Sequence, residues 1–526
     1  MGLLVLALFA EKSALNLAVD FRRADAAQGL GTALRITQHY GLRFAVSFAI
    51  ALAVFIYVQS GPRLSAVNAE ARSAAFRPWW LAVHGALLIA LAGSLYFLYG
   101  NHGVQLPFAL LGSAALLLSA AAVVALLTGL APWTLWRAAT RAIGMRWAYA
   151  AIAAIIGTGA IVWSQDLWAP TAQVTFNLVR WVLSPLLPAL KADAATRILR
   201  TPDFAIEVSS ICSGLEGVGL MLAFCSAWLL CFRAEYRFPR ALLLIPAGLL
   251  LVFALNVLRI AALVLIGNAG YPAIAVYGFH SQAGWIAFNG AACGIAFASR
   301  RSRWLNRSAG TEPGAVTSNP TAAYLLPFLA VLAAGMLSRA ISSGFETWYA
   351  LRLVGAGAAL IVYRRPLAKL DWKFGGRGVI AGVVVFMLWL AASHFLLAPR
   401  AMPAALAAMS SDARNLWIAS RALTAVLIAP LAEELAYRGY LMRRLVAEDF
   451  EAVPFRSVGW LPLLISATIF GALHGAMWLP GIAAGLIYGL VAIRTGRMGE
   501  AVAAHATSNL LLAVWLLTLG QWQLWL

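Results

Sequence analysis

Long apolar runs alternate with short polar connections along almost the whole chain. The runs are about 17 to 28 residues long, the length an α-helix needs to cross about 30 Å of hydrocarbon. They predict spans at 43–59, 79–99, 106–130, 147–165, 217–232, 240–267 and 283–299. After an interruption, further spans follow at 322–341, 346–363, 378–398, 414–432, 459–475, 477–494 and 500–519. No segment alternates apolar and polar residues as a barrel strand does. The expected fold class is therefore all-α: a polytopic transmembrane helical bundle in two membrane domains, with about seven to eight spans in the first and about seven in the second. Residues 1–41 are expected to be an interfacial helix or an extra span, because Glu11 and Lys12 interrupt their apolar start and no small-residue cleavage site follows. The first membrane domain then covers 42–300 and the second 322–526. A cytoplasmic linker at 301–321, rich in Arg and then in Ser, Gly, Pro and Asn, separates them.

Composition agrees with this pattern. Hydrophobic residues make up 62% of the 526 positions and charged residues 11%, with a mean hydropathy of +0.82, which excludes a soluble globular protein. The net charge of +19 would suit a nucleic-acid partner, but the Arg residues sit in the short connections and not in one block. The charge instead sets orientation, so membrane lipid is an expected partner and nucleic acid is not. Connections 60–78 (Arg63, Arg72, Arg77), 131–146 (Arg137, Arg141, Arg146) and 233–240 (Arg233, Arg237, Arg240) are basic, as is the tail from Arg300, while 100–106 carries no Lys or Arg. The basic group is expected to be cytoplasmic, which puts connections 166–211 and 268–282 on the extracytoplasmic side. The helical patch Phe176–Leu187 of the first is expected to lie along the outer leaflet. Of four cysteines, Cys225, Cys231 and Cys293 fall in apolar runs, which is not a disulfide framework.

Cys212 alone has a polar setting, in Ser210-Ile211-Cys212-Ser213-Gly214-Leu215-Glu216-Gly217. By the loop charges it stands at the outer start of its span. Arg259 lies in the last third of a span that ends outside, and His280 precedes a span that starts outside, so three chemically suggestive residues reach one face. A thiol attacks a carbonyl as thiolate and needs a base or a positive neighbour, and the resulting oxyanion needs a donor. His280 is the candidate base. Arg259, costly inside a span, is the candidate for the oxyanion or a substrate carboxylate. Asn256, one turn before Arg259, either orients the guanidinium or donates a hydrogen bond itself. Against this, a lone Cys is most often a packing residue, a lone Arg near a span end snorkels, and a lone loop His is incidental. The run Cys212-Ser213-Gly214, the segment Asn256-Val257-Leu258-Arg259, and His280 with Gly284-Trp285 behind it resemble the exosortases, bacterial membrane transpeptidase-like enzymes with an extracytoplasmic Cys, Arg and His. The resemblance covers about 43–300. It implies that Cys212 cleaves a C-terminal sorting signal through an acyl-enzyme, assisted by Arg259 and His280.

The second domain carries Glu433 and Glu434 at the expected end of a span, a costly placement. Glu434 and Arg438 are spaced to pair across one helical turn, which leaves Glu433 pointing about 100° away and free to act as a base. His474 comes from another span, and His505 with Asn509 from a third. Glu433 would activate a buried water, while His505 and Asn509 polarise the carbonyl or hold the oxyanion. Zinc is the competing reading of two His and a Glu, yet no His-Glu-x-x-His helix is present and the adjacent acids are not spaced to share one metal. No cofactor is therefore favoured, although zinc in this domain remains an alternative. The bland reading is an ion-paired helix end with two packed His. The motifs Glu433–Arg438, Phe470–His474 and His505–Asn509 resemble, in order, the CPBP family of CAAX-processing and bacteriocin-immunity type intramembrane proteases. That resemblance covers about 322–519 and implies a glutamate-type protease with Glu433 as base. Strict alternation of spans puts Glu433 near the inner face and His474 towards the outer end of its helix, so 459–475 is expected to be broken or re-entrant, or the boundaries to shift by a turn.

Together the halves resemble the exosortase E/protease fusion family of the VPEID-CTERM protein-sorting system. The resemblance implies a peptidase of the bacterial inner membrane, with its first site extracytoplasmic and its second within the membrane near the cytoplasmic side. Its partners would be secreted proteins whose C-terminal tail carries a short motif, an apolar helix and a basic end. The rival readings are a transporter, which predicts matching broken helices in two repeats that the sequence does not display, and a second half acting as a non-proteolytic immunity or binding module.

Overall fold

The structure, a computed structural model, describes residues 79–99, 108–307 and 319–525, together with a few helical positions between 44 and 52. The N-terminal segment 1–41, most of the expected span 43–59, the connections 60–78 and 100–106, and the middle of the linker lie outside the described residues. The architecture is that of an all-α polytopic membrane protein. Among the described residues, eight helices are long and apolar enough to cross a membrane, and Arg146–Ile156, Leu215–Cys231, Ala350–Val362 and Trp460–Ala472 are shorter apolar helices.

Two compact units form, Met1–Trp168 and Ala169–Leu526. In the first, α1 (Trp79–Tyr99) and α2 (Phe108–Leu130) pack side by side. The buried His84 of α1 reaches across with Nδ1 2.8 Å from the Ala122 carbonyl of α2. The basic connection after α2 is itself a short helix, α3 (Trp133–Ile143). It carries Arg137 and Arg141 and turns at Gly144 into α4 (Arg146–Asp166).

In the second unit, α5 (Trp168–Leu183) leads into a three-stranded antiparallel sheet of β1 (Lys191–Asp193), β2 (Ile198–Arg200) and β3 (Ala205–Glu207), in that order. Here the structure departs from the expected patch Phe176–Leu187: the helix starts and ends earlier, and strands of three residues are too short to leave a periodic trace. The helices α6 (Leu215–Cys231), α7 (Leu244–Asn268) and α8 (His280–Arg301) follow. The expected connection 268–282 shrinks to three residues, because a π-helical turn, Ile274–Phe279, runs straight into α8. His280 is thus the first residue of a continuing helix, not a loop residue.

The remaining helices of more than ten residues are α9 (Pro320–Ala340), α10 (Ala350–Val362), α11 (Gly376–Leu396), α12 (Ser411–Arg444), α13 (Trp460–Ala472), α14 (Trp478–Thr495) and α15 (Met498–Leu519). The expected span 414–432 becomes one 34-residue element, α12, with π-helical stretches at Thr424–Ile428 and Leu435–Leu441 on either side of the two glutamates. Glu433 and Glu434 therefore lie well inside a helix and not at its end.

In lipid, helices associate through close approach and not through the hydrophobic effect. α13 and α14 meet along Gly481, Gly485 and Gly489, four residues apart on one face of α14. A Cβ at Gly481 would come within 2.9 Å of Gly471 Cα, and one at Gly485 within 2.9 Å of Ala467 Cα. Gly378 and Gly382 of α11 do the same against the Glu500 and Ala504 carbonyls of α15. Glu500, buried at the start of α15, accepts the Gly378 N–H at 2.7 Å and so satisfies a free donor at the head of α11.

Candidate functional site

Cys212 sits in a tight 3₁₀ turn, Ser210–Ser213, which closes at Gly214 with φ +88°. Only glycine suits that backbone, and a Cβ there would also lie 2.7 Å from Asn256 Nδ2. The turn is pinned from two directions. Thr175 of α5, fully buried, donates from Oγ1 to the Ser213 carbonyl at 3.0 Å, and Asn256 of α7 donates from Nδ2 to the Cys212 carbonyl at 3.1 Å. The half-buried thiol receives the Ser209 hydroxyl at 3.6 Å. Beneath it, α5, the sheet and α7 share a core that includes Phe176, Leu199 and Ile260.

Arg259, three residues after Asn256, places its charge where it acts on Cys212 and Glu216, and it acts on His280 as well. The approach is possible because position 284 is glycine, one turn after His280: a Cβ there would be 2.9 Å from Arg259 Nη1. His280, ahead of the apolar stretch 283–299, has an open edge, yet the surrounding protein lowers its pKa by partial desolvation, and Arg259 lowers it further. A cavity of about 220 Å³ lies between α6, α7 and α8, with Glu216, Asn256 and Arg259 as polar lining and Leu220, Val252 and Trp285 among the apolar. Gly214 and Ser281 belong to its wall, while their neighbours Cys212 and His280 do not.

The sequence offered two roles for Asn256. In the structure its amide holds the Cys212 turn, not the guanidinium. Thr175, Ser209 and Glu216 were missed as site residues. Glu216 stood inside the Cys212 octapeptide, but nothing in the sequence links Thr175 to a thiol 37 positions later.

In the second centre Glu434, with no exposed surface, is the hub. Its Oε1 accepts from Arg438 Nη1 at 3.0 Å and lies 3.0 Å from His505 Nδ1, while its buried Oε2 has no hydrogen-bond partner. Arg438, equally buried, also donates to the Gly485 carbonyl at 2.9 Å and lies over the Phe470 ring at 4.6 Å. His505 stacks on Tyr488 at 4.7 Å, whose hydroxyl is 2.6 Å from Ser508 Oγ.

Glu433 is half-buried, and among the described residues it makes no hydrogen bond. Its charge acts on His474, Tyr437 and Tyr488. His474 Nδ1 is 2.8 Å from the Phe470 carbonyl. A carbonyl only accepts, so Nδ1 carries the hydrogen and Nε2 of the neutral ring keeps its lone pair. Asn509 donates one amide hydrogen to the Ala425 carbonyl at 2.8 Å, in the first π-helical stretch of α12. The structure thus gathers Glu434, Arg438 and His505 into one bonded triad, links Glu433 to His474 through charge, and turns Asn509 towards α12. Among the described residues, no three His, Cys, Asp or Glu side chains are placed to share one ion.

The helices that carry Glu433 and His474 differ in length from the expected spans. With 13 residues, α13 is only about 20 Å long at 1.5 Å per residue, short of the roughly 30 Å of a bilayer core. His474 caps its far end in a turn that passes through Gly475 at φ +56°. Glu433, in turn, has eleven further helical residues beyond it in α12.

Residues 37–298 match the family model of the transmembrane exosortases, and residues 414–511 match that of the type II CAAX prenyl endopeptidase Rce1-like proteins. No curated protein and no solved structure matches the chain. The first match spans Cys212, Arg259 and His280, and the second spans Glu433, His474 and His505.

Proposed function

The chain is a multi-pass membrane protein that joins an exosortase half to a Rce1-like CAAX-protease half, and from that premise we propose a sorting enzyme with two peptide-cleaving centres. The first is a Cys212 centre on the extracytoplasmic side of a bacterial inner membrane, acting on secreted proteins that end in a short motif, an apolar helix and a basic tail. The observation that carries this reading is the placement of Arg259, which lines the cavity between α6, α7 and α8, comes up against Gly284 one turn after His280, and lies one turn after Asn256, the donor to the Cys212 carbonyl.

In the first centre the Cys212 thiol gives its proton to His280, and the thiolate attacks the scissile carbonyl, forming a C–S bond. Arg259 faces the charge that develops on the oxygen. Collapse breaks the C–N bond, His280 returns the proton to the departing amine, and a thioester remains. Water or an amine then attacks the thioester, giving up a proton to His280 and releasing the thiolate. The Asn256 and Thr175 bonds keep the nucleophile's turn rigid and supply orientation. The apolar wall of the cavity suits lateral entry of a tail helix while its motif stays at the interface.

In the second centre Glu433 and the Nε2 lone pair of His474 flank a water. Glu433 takes its proton as the oxygen attacks a peptide carbonyl polarised by the second amide hydrogen of Asn509 and by His505 in its doubly protonated form, with Nδ1–H on Glu434 and Nε2–H on the carbonyl. The C–N bond then breaks and the amine takes the proton from Glu433. Glu434 holds the His505 ring in place.

The test is processing of a co-expressed secreted reporter ending in such a tail, with the full-length enzyme and its Cys212→Ala and Glu433→Ala variants. Tail release at the normal rate by Cys212→Ala sinks the first assignment. An identical product pattern with Glu433→Ala sinks the second in favour of a binding module.

A further inference from the structure

The helix that delivers His280 packs along α9 of the second half of the chain, and just before its start main chain meets main chain. Gly278, buried two residues before His280, lies in the π-helical turn that continues into α8. A Cβ at Gly278 would stand 2.0 Å from the Ser342 carbonyl oxygen, 2.7 Å from that of Arg339 and 3.0 Å from that of Ala340. All three are main-chain atoms at the end of α9 and in the turn after it, so no side chain can rotate away to make room. The turn is itself braced: the Ser342 hydroxyl donates to the Ser338 carbonyl at 2.7 Å, and the Thr347 N–H donates to the Ser342 hydroxyl at 3.2 Å. Glu346, between them, is clasped by Arg352 at 2.7 and 2.8 Å. On the other side of the contact, the Gly278 carbonyl accepts the Ser281 hydroxyl at 3.0 Å, next to His280.

We propose that the protease-like half is the platform that sets His280 for the cysteine centre, with Gly278 as the positioning residue at which the main chains of the two halves come closest to one another beside His280. A π-helical turn is wider and less common than an α-helical one and is frequent at functional sites. This one brings residue 278 onto the end of α9 while leaving residue 284 open to Arg259. The two glycines thus seat one helix from opposite partners, and His280 lies between them in the chain. Fusion then has a mechanical meaning: the second half shapes the first site whether or not it cleaves anything. The inference rests on His280 serving the Cys212 centre.

The test uses the full-length protein in membranes, with Cys225, Cys231 and Cys293 replaced by Ala so that iodoacetamide reports on Cys212 alone. The alkylation rate is followed against pH, alongside processing of the tail-bearing reporter. The parent protein is expected to show an inflection that His280→Ala removes. Gly278→Ala must move His280 by the better part of an ångström, so it should displace or abolish that inflection and slow processing about 100-fold. Gly290→Ala, on the same helix with open space around it, should match the parent. Where Gly278→Ala does not accumulate, Ser342→Ala decides: it loosens the turn from the other half, and should shift the inflection and slow processing about threefold. A His280-dependent inflection that survives unchanged in a folded Gly278→Ala protein, or in Ser342→Ala when that variant decides, overturns the platform and leaves the cysteine centre standing. A parent profile indifferent to His280→Ala overturns both.

Discussion

The amide of Asn256 donates to the main-chain carbonyl of Cys212 itself, at 3.1 Å, so the residue one turn before Arg259 holds the backbone of Cys212 and not its side chain. Loss of this part-buried hydrogen bond costs that carbonyl its side-chain partner, at about 1–3 kcal/mol. Asn256→Ala should therefore lower processing by the first centre about tenfold to 100-fold while leaving the second centre's products unchanged. Thr175→Val removes the neighbouring support and should give a smaller loss. Because both bonds hold one turn, the double variant should fall short of the product of the two losses, as a double-mutant cycle on processing rates will reveal.

Burial first, and then the like charge of Arg259, keep the His280 imidazole below its ordinary value of 6.5. A depressed pKa means that the ring stays neutral, and able to accept a proton, through neutral pH. It is protonated and lost as a base only as pH falls below that value. The acid limb of the pH–rate profile of the first reaction should thus lie under pH 6.5. Arg259→Gln removes one of the two causes and should carry the limb upward part of the way, beside a large loss of rate. An acid limb above 6.5 in the parent enzyme would contradict the assignment.

The adjacent acids should separate by phenotype. Glu434 is fully enclosed with Arg438 and His505, and removing one partner of a buried ion pair costs about 3–5 kcal/mol. Glu434→Ala is expected to unfold the second half or to lower its melting temperature sharply in detergent. Glu433, half-buried and without a hydrogen bond among the described residues, should tolerate Glu433→Ala with little change in melting temperature and complete loss of the second cleavage. Equal melting shifts for the two variants would refute the division of labour.

The helical hairpin α13–α14 depends on backbone contact. Gly485→Leu inserts a side chain where a Cβ already meets Ala467, on the residue whose carbonyl receives Arg438. It should destabilise the second half by several kcal/mol, judged from overpacked cores, with Gly357→Leu on an open face as the near-neutral comparison in the same thermal assay.

Much of this was legible in the chain because lipid imposes a simple code: every span advertises itself by length and apolarity, and ionisable residues within one stand out. That is why Arg259 and Glu433 stand out as candidates without coordinates, while Cys212 does so through its polar setting at the edge of a span. The same code misled where charges are matched in space. A hydropathy window closes α12 near Ala432, since it counts Glu433, Glu434 and Arg438 as three costs. The fold cancels two of them against each other and brings His505 from α15. The short α13 was read as a full span because its apolar run continues past His474 into α14 with only Gly475 between them as a break. Neither Thr175 nor Gly278 carries a local signal, because the role of each is defined by a carbonyl on a distant segment.

The bond from His474 to the Phe470 carbonyl has a further meaning. A helix that stops part-way through a bilayer exposes its last carbonyls where no water can satisfy them, at several kcal/mol each. The imidazole on which the Glu433 charge acts also satisfies one of the last carbonyls of α13, so the group proposed for the chemistry is at the same time a helix terminator. Relatives that have abandoned cleavage but kept the fold should still carry a hydrogen-bond donor at this position, even after Glu433 has been replaced.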